Sequence, residues 1–338
     1  IFDASIRLIL NRKLKIFINY FVGPTLFVWL SYSIYRQIKL QSSLHESWQL
    51  IKASFTGAQS WKLWTALLLM PVNWGIEARK WQFLVKSIQP VAFSKAYKAI
   101  FVGQAIAFNA PNRIGESAGR AVYLEEGNRL RGVALSVIGS MSQIMITLVM
   151  GFVALVYLRL HLIGKGYLLE GIPAAWVDGF IVAMALILAL FIPVYFRLSW
   201  LVKRLEKIPF IARHRFFVQK LEDLDVKQLV QLLGLSAARY LVFVVQYMLL
   251  LAVFEVHIAW TDAAALVGVL FLVLAVVPTI ALAELGFRGK LSIELFGLLS
   301  PNALGIIATA TGIWIINLIV PAIIGTLFIL GIRFFRNK

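Results

Sequence analysis

Residues 107–120 read AFNAPNRIGESAGR, and residues 277–290 read VPTIALAELGFRGK. In both, a Glu-x-x-x-Arg pair follows a proline: Glu116 and Arg120 after Pro111, Glu284 and Arg288 after Pro278. Glu and Arg four residues apart share a helix face and can pair. Proline suits the first turn of a helix but disfavours helix in the residue before it, so each stretch reads as a broken helix followed by a new start. The free N–H groups and partial positive charge of a helix N-terminus suit a phosphate. Arg79, Arg113 and Arg239 add guanidinium groups able to grip phosphate oxygens in a bidentate way. Asn109, counted with this binding set, and Asn112 fit as caps of the first broken helix.

These groups sit in an apolar chain. Hydrophobic residues make up 60% of the 338 and charged ones 14%, with several nearly charge-free windows of about 20 residues, as membrane-spanning helices require. A charge inside a span costs roughly 2.5 to 3.5 kcal/mol on insertion scales, so such residues usually face a cavity or one another. Arg239, about ten residues into a span, is the strongest single candidate of this kind. Asn73, Glu77 and Gln246 read as polar support through interhelical hydrogen bonds.

The spans themselves follow from the apolar runs: 15–35, 61–80, 132–158, 176–197, 229–256 and 303–332. Two further segments, 97–110 and 263–282, run across a Pro into polar, Gly-containing sequence and read as re-entrant or broken hairpins. Irregular backbone at membrane depth is tolerated only where protein or a wet cavity surrounds it. The basic stretches at the N-terminus, after the second span, between 197 and 227 and at the C-terminus all fall on the cytoplasmic side by the positive-inside rule. Six spans satisfy this. Eight spans also keep both termini inside, but move Arg129 and Arg131 to the outer face. The segment 40–55 has apolar residues at helical spacing and reads as an amphipathic helix on the outer surface.

The expected fold class is therefore all-α: a polytopic transmembrane bundle of about six spanning helices plus two re-entrant or broken hairpins, in one membrane domain covering 1–338. No stretch is long enough for a separate soluble domain. Residues 60–158 and 226–332 form two units that begin on opposite faces, an inverted repeat of the kind found in secondary transporters. Glu116 and Glu284, and likewise Arg79 and Arg239, are the residues that echo one another across it. The formal net charge of +17 fits an anionic leaflet and the inside-positive bias rather than nucleic acid. The absence of Cys removes disulfide and thiol chemistry. His45, His161, His214 and His257 lack ligand spacing, so neither a metal site nor a cofactor is expected.

The run NAPNRIGESAGRAVYLEEGNRLRGVALSVIGSMSQIM resembles the membrane domain of the lysylphosphatidylglycerol synthase/flippase family, which includes the multiple peptide resistance factor and stand-alone relatives. The similar features are Pro111, Gly115 and Glu116 followed by a basic residue, an early span ending in Arg79, Lys80 and Trp81, and a later element in VVPTIALAELGFRG. That last element departs from the pattern: Leu282 stands where Gly is expected, and Glu284 comes one place early. The resemblance covers about 60–320 and implies a lipid-translocating domain with inverted halves; it does not carry over synthase activity, since the large soluble transferase domain has no counterpart here. The leading expectation is a flippase-like transporter in the plasma (inner) membrane. It would move a phospholipid or other amphiphile, anionic or zwitterionic and in some cases aminoacylated, through a polar slot at mid-membrane. The competing expectation is an intramembrane head-group or acyl transferase. Membrane lipids are the expected partners, with a homo-oligomer or a lipid-modifying enzyme as further ones. No Walker-type loop is present, so uphill transport would draw on an ion gradient.

Overall fold

The computed structural model describes residues 44–108, 115–162, 173–198, 223–277 and 281–330, with single positions at 25, 28, 29, 32, 200 and 204. Among the described residues the regular structure is helical, and no strand occurs. The chain runs α1 (Leu44–Ser54), α2 (Ser60–Val85), α3 (Phe93–Ala107), α4 (Gly115–Ala121), α5 (Arg129–Tyr157), α6 (Ala174–Phe196), α7 (Val226–Val253), α8 (Trp260–Val276), α9 (Ala281–Phe296), α10 (Ala303–Trp314) and α11 (Val320–Ile329). A π-helical turn over Leu158–Leu162 extends α5, and another over Ile315–Ile319 joins α10 to α11.

Among the described residues four helical stretches are long and apolar enough to cross a bilayer: Glu126–Leu162, Ala174–Phe196, Val226–Val253 and Ala303–Ile329. They match four of the expected spans. The expected span 61–80 forms inside α2, whose 26 residues also have the length, though its charges keep its hydropathy low. The expected span 15–35 lies outside the described residues apart from isolated positions. The chain is thus an integral membrane protein built as a helical bundle. Peripheral α6 shows why so apolar a helix is stable: Phe180, Leu186 and Leu190 are more than half exposed, the surface that hydrocarbon solvates. The amphipathic segment forms as α1, packed against α10, with Ile51 buried.

The two unusual segments are short helices. With 15 residues in α3 and 17 in α8, they reach about 22 and 25 Å at 1.5 Å per residue, less than the roughly 30 Å of hydrocarbon. Helices α3 and α4 pack closely as an antiparallel pair, for Gly103 meets Glu116 and Gly119 while the later Ile106 meets the earlier Gly115. Small residues allow this approach: a Cβ on Gly103 would lie 2.6 Å from the carbonyl oxygen of Glu116, and one on Gly119 2.6 Å from the Cα of Gly103. Pro111, Asn112 and Pro278, on which the expected breaks rest, lie outside the described residues.

Packing interleaves the chain. Helix α2 lies along α7; α3 packs on α11, and α8 packs on α5. Both of the latter contacts are close, with Gly325 against the carbonyl of Phe101 and Gly268 against Ala154. The largest apolar cluster gathers residues of α2, α5, α7, α8 and α10 around Tyr247, Leu250, Leu266 and Leu270. Two caps fix where helices begin. Asp225 and Gln228 form a reciprocal capping box at α7, and Asn302 caps α10 through the Gly305 N–H while donating to the Phe254 carbonyl.

Overpacking a tight contact costs about 1 to 3 kcal/mol, whereas Gly to Ala in an open helix position gains up to about 1 kcal/mol. Gly103→Ala is therefore expected to lower the thermal stability of the purified protein, and Gly234→Ala, where nothing lies within 4 Å of the added Cβ, to maintain or raise it. Equal effects at the two sites in a melting measurement in detergent would contradict the packing described.

Candidate functional site

On α2 the spacing Asn73, Glu77, Lys80, Trp81, Leu84 places five residues on one face of the helix, and all five are buried. Glu77, 3% exposed, is the centre of a charge cluster drawn from three helices. Its Oε2 accepts from Lys80 Nζ at 2.8 Å and from Arg239 Nη1 of α7 at 2.9 Å, while Oε1 accepts from Arg120 Nη1 of α4 at 2.8 Å. Arg120 also pairs with Glu116 one turn earlier on α4.

The remaining contacts orient these groups. Arg239 Nε donates to Asn73 Oδ1 at 2.8 Å, and its guanidinium carbon lies 4.9 Å from the ring centre of Trp74 and 5.3 Å from that of Phe243, cation–π distances that offset desolvation of the cation. Lys80 Nζ also approaches Ser236 Oγ at 3.4 Å. Ser117 of α4 and Ser136 of α5 are linked at 2.9 Å. A second polar link lies further along α7, where Gln246 Nε2 donates to the Ala66 carbonyl at 2.8 Å and Gln246 Oε1 accepts from Asn317 Nδ2 at 3.2 Å. Asn317 belongs to the π turn before α11, an irregularity often found at functional sites.

The cluster forms one wall of a cavity of about 540 Å³. Side chains of α2, α3, α4, α5, α7, α8, α9 and α10 line it, together with Phe108 and Val277, which follow the last turns of α3 and α8. Its surroundings are mixed: Glu77, Lys80, Glu116, Arg239 and Arg288 supply charge, whereas Phe243, Phe271, Leu274 and Ile313 supply apolar surface. Three cations, Lys80, Arg120 and Arg239, face two carboxylates, Glu77 and Glu116, leaving one net positive charge among these five, and Arg288 is a further cation on the wall. Such a site can take an anion and an apolar body together.

The expected site residues divide accordingly. Glu116, Arg120, Arg239, Asn73 and Glu77 meet in the cluster, and Arg288 lies on the cavity wall. Gln246 is buried beside it with Asn317. Asn109 and Arg113 lie outside the described residues, as does the side chain of Glu284, so a Glu284–Arg288 pair is not described. Arg79 is a correction: it is exposed, donates to Gln82 at 2.9 Å and lies over Phe93. It stands two residues from Glu77, about 200° around the helix, so it cannot share the inward face and does not echo buried Arg239. Lys80, 1% exposed, occupies the place expected for it. Asn73-x-x-x-Glu77-x-x-Lys80 is an i, i+4, i+7 stripe, and that signal could have identified Lys80. No sequence feature marked Gln104, Gln143, Trp314 or Asn317, which come to the cavity from α3, α5, α10 and the π turn after it.

The sequence model of a family described as "Lysylphosphatidylglycerol synthase TM region" matches residues 18–325. Comparison with curated proteins finds no match.

Removing one partner of a buried ion network leaves uncompensated charge, at a cost of about 3 to 5 kcal/mol. Glu77→Ala, which removes the carboxylate that Lys80, Arg120 and Arg239 share, is expected to lose stability on that scale in detergent denaturation. Arg79→Ala, two residues away but outward, should change it by less than about 0.5 kcal/mol. A benign Glu77→Ala would contradict the role of this carboxylate as the hub.

Proposed function

The chain belongs to the lysylphosphatidylglycerol synthase transmembrane-region family, whose description ties it to membrane lipids, and from that premise we propose that it is a flippase-like transporter, moving an amphiphilic lipid from one leaflet to the other. The cavity carries the reading: about 540 Å³ of space with net positive charge on one wall and aromatic and aliphatic surface on others. A phosphate would lie against Lys80, Arg239 and Arg288, and the acyl chains along the apolar side. Charged groups gathered inside a membrane domain are expensive and usually mark a substrate path.

An inverted repeat accounts for the packing. Exchanging the unit 60–158 with the unit 226–332 maps α2 onto α7, α3 onto α8, α4 onto α9 and α5 onto α10–α11. The contact of α3 with α11 then becomes that of α8 with α5, and the contacts of α2 with α3 and α5 become those of α7 with α8 and α10; each of these is present. In this reading α3–α4 and α8–α9 are re-entrant hairpins entering from opposite faces, and Phe108 and Val277, at the ends of α3 and α8, border the cavity. Both termini lie on the cytoplasmic side of the plasma membrane. Opening the cavity alternately to each face would carry the head group across, in the manner of other inverted-repeat transporters.

The test is leaflet exchange in vesicles containing the purified protein and acyl-labelled phospholipids, read by quenching of the label from outside. Wild-type protein is expected to expose label from both leaflets, while protein-free vesicles expose only the outer one. Arg239→Gln removes a charge-assisted contact of roughly 1.5 to 3 kcal/mol and should slow exchange by about tenfold or more. Exchange that is absent from wild-type vesicles, or unchanged by Arg239→Gln, contradicts the proposal. A new lipid species in extracts of cells making the protein, found by mass spectrometry without exchange, would favour the transferase alternative.

A further inference from the structure

The outward face of α2 is as patterned as its inward one. Trp61, Trp64, Leu68, Val72, Gly75 and Arg79 follow one another at intervals of three or four residues, the spacing of a single helix face. The Trp, Leu and Val side chains of this stripe are each more than half exposed, and Arg79 is exposed as well. From Trp61 to Arg79 the helix rises about 27 Å at 1.5 Å per residue, close to the roughly 30 Å of hydrocarbon. Tryptophan at one end and arginine at the other are residues that settle at head-group level.

Arg79 differs from an ordinary interfacial cation in being held. Its Nη1 donates to Gln82 Oε1 at 2.9 Å, Gln82 Nε2 donates in turn to the Val91 carbonyl at 2.8 Å, and the guanidinium carbon lies 4.5 Å from the centre of the Phe93 ring. Its other donors have no partner among the described residues, and no carboxylate is among its contacts there. A guanidinium fork fixed in this way matches the oxygens of a phosphate and loses less rotamer freedom on binding. One turn earlier Gly75 has no side chain. A Cβ there would meet the Phe93 and Tyr97 rings at 3.9 Å each, so the two rings wall an indentation that opens onto Val72 and Leu68. Tyr97 is fastened beside it, its hydroxyl donating to the Pro71 carbonyl at 3.2 Å.

We infer that this face is a binding site for one anionic phospholipid, on the bilayer side of α2 and separate from the central cavity. The phosphate sits on the Arg79 fork, and an acyl chain runs from the indentation at Gly75 along Val72 and Leu68. The guanidinium, without a counter-charge from the protein, favours a lipid of net negative charge; a zwitterionic lipid brings its own cation, which competes for the phosphate. The site needs only a bilayer around α2 and stands whether or not the protein moves lipid. Because α2 carries Glu77 and Lys80 on its inward face, a lipid seated here ties the bilayer to the helix that holds the ion network.

The chain has no Cys, so one introduced thiol reports one location. Val72→Cys, about 10 Å from Arg79 along the helix, is labelled with a fluorophore. The full chain is then placed in mixed vesicles of phosphatidylcholine and phosphatidylglycerol in which one lipid or the other carries brominated acyl chains that quench on contact. The ratio of quenching gives the relative affinity of the two lipids at that spot, and Leu190→Cys on α6, exposed and remote from the stripe, serves as reference. Phosphatidylglycerol is expected to be favoured about tenfold at Val72, the scale of one charge-assisted hydrogen bond, and not at Leu190. Arg79→Gln should bring the Val72 ratio down to the reference, and Phe93→Leu, which removes the ring under the guanidinium, should lower it. Lys98→Gln, which removes an exposed cation of α3 outside the stripe, should leave it unchanged. Both Arg79 and Phe93 are exposed, so these variants are expected to melt as wild type does. Equal quenching by the two lipids at Val72, a preference of the same size at Leu190, or one that survives Arg79→Gln overturns the inference. So does a preference that Lys98→Gln abolishes equally well, which would mark diffuse surface charge rather than a site.

Discussion

One carboxylate holds the centre of this protein. Glu77 accepts from Lys80, Arg120 and Arg239, and so joins α2, α4 and α7. In an apolar interior none of the four groups is stable alone, because each has lost its hydration and repels or strands the others without a counter-charge. The carboxylate makes it possible to bury three cations together, while Glu116, Asn73 and the Trp74 ring distribute what it does not neutralise. One net positive charge is left among these five charged groups beside the cavity.

The hub also requires particular backbone geometry. Arg120 reaches Glu77 because α4 lies against α3 with glycines at the contact, bringing the two backbones close together. Arg239 reaches it because α7 runs along α2. The polar centre is therefore a product of packing between distant parts of the sequence, and the apolar clusters around Tyr247 and around Trp81 fix the helices that carry it.

Much of the architecture was legible in the sequence. Apolar runs longer than a bilayer is thick have few alternatives to a spanning helix, and the prolines and glycines near 111 and 278 flagged interrupted elements. Glu116 and Arg120 were legible as a pair because they are local, one helical turn apart. Arg79 was grouped with Arg239 as an echo in sequence, whereas a helix turns 100° per residue and puts Arg79 outward while Lys80 faces the cluster. The convergence of Glu77, Arg120 and Arg239, and of Gln104 with Trp314 and Asn317, is tertiary. Each residue in isolation has an ordinary explanation as a cap, an interfacial anchor or a helix-to-helix bond, so their meeting was not predictable from spacing.

The pairing of α3 with α11, where Phe101 presents its carbonyl to Gly325, bears on how the chain reaches this state. The wall that sheathes α3 is synthesised long after α3 itself, with the whole of α4 to α10 between them. Until it arrives, the first half has a short helix with an uncovered flank and a charged neighbour, α4, held only by contacts within that half. Maturation of the first half in the membrane is thus gated by synthesis of α11: a chain interrupted before it would leave the early portion inserted yet unfinished, a state recognisable to quality-control proteases.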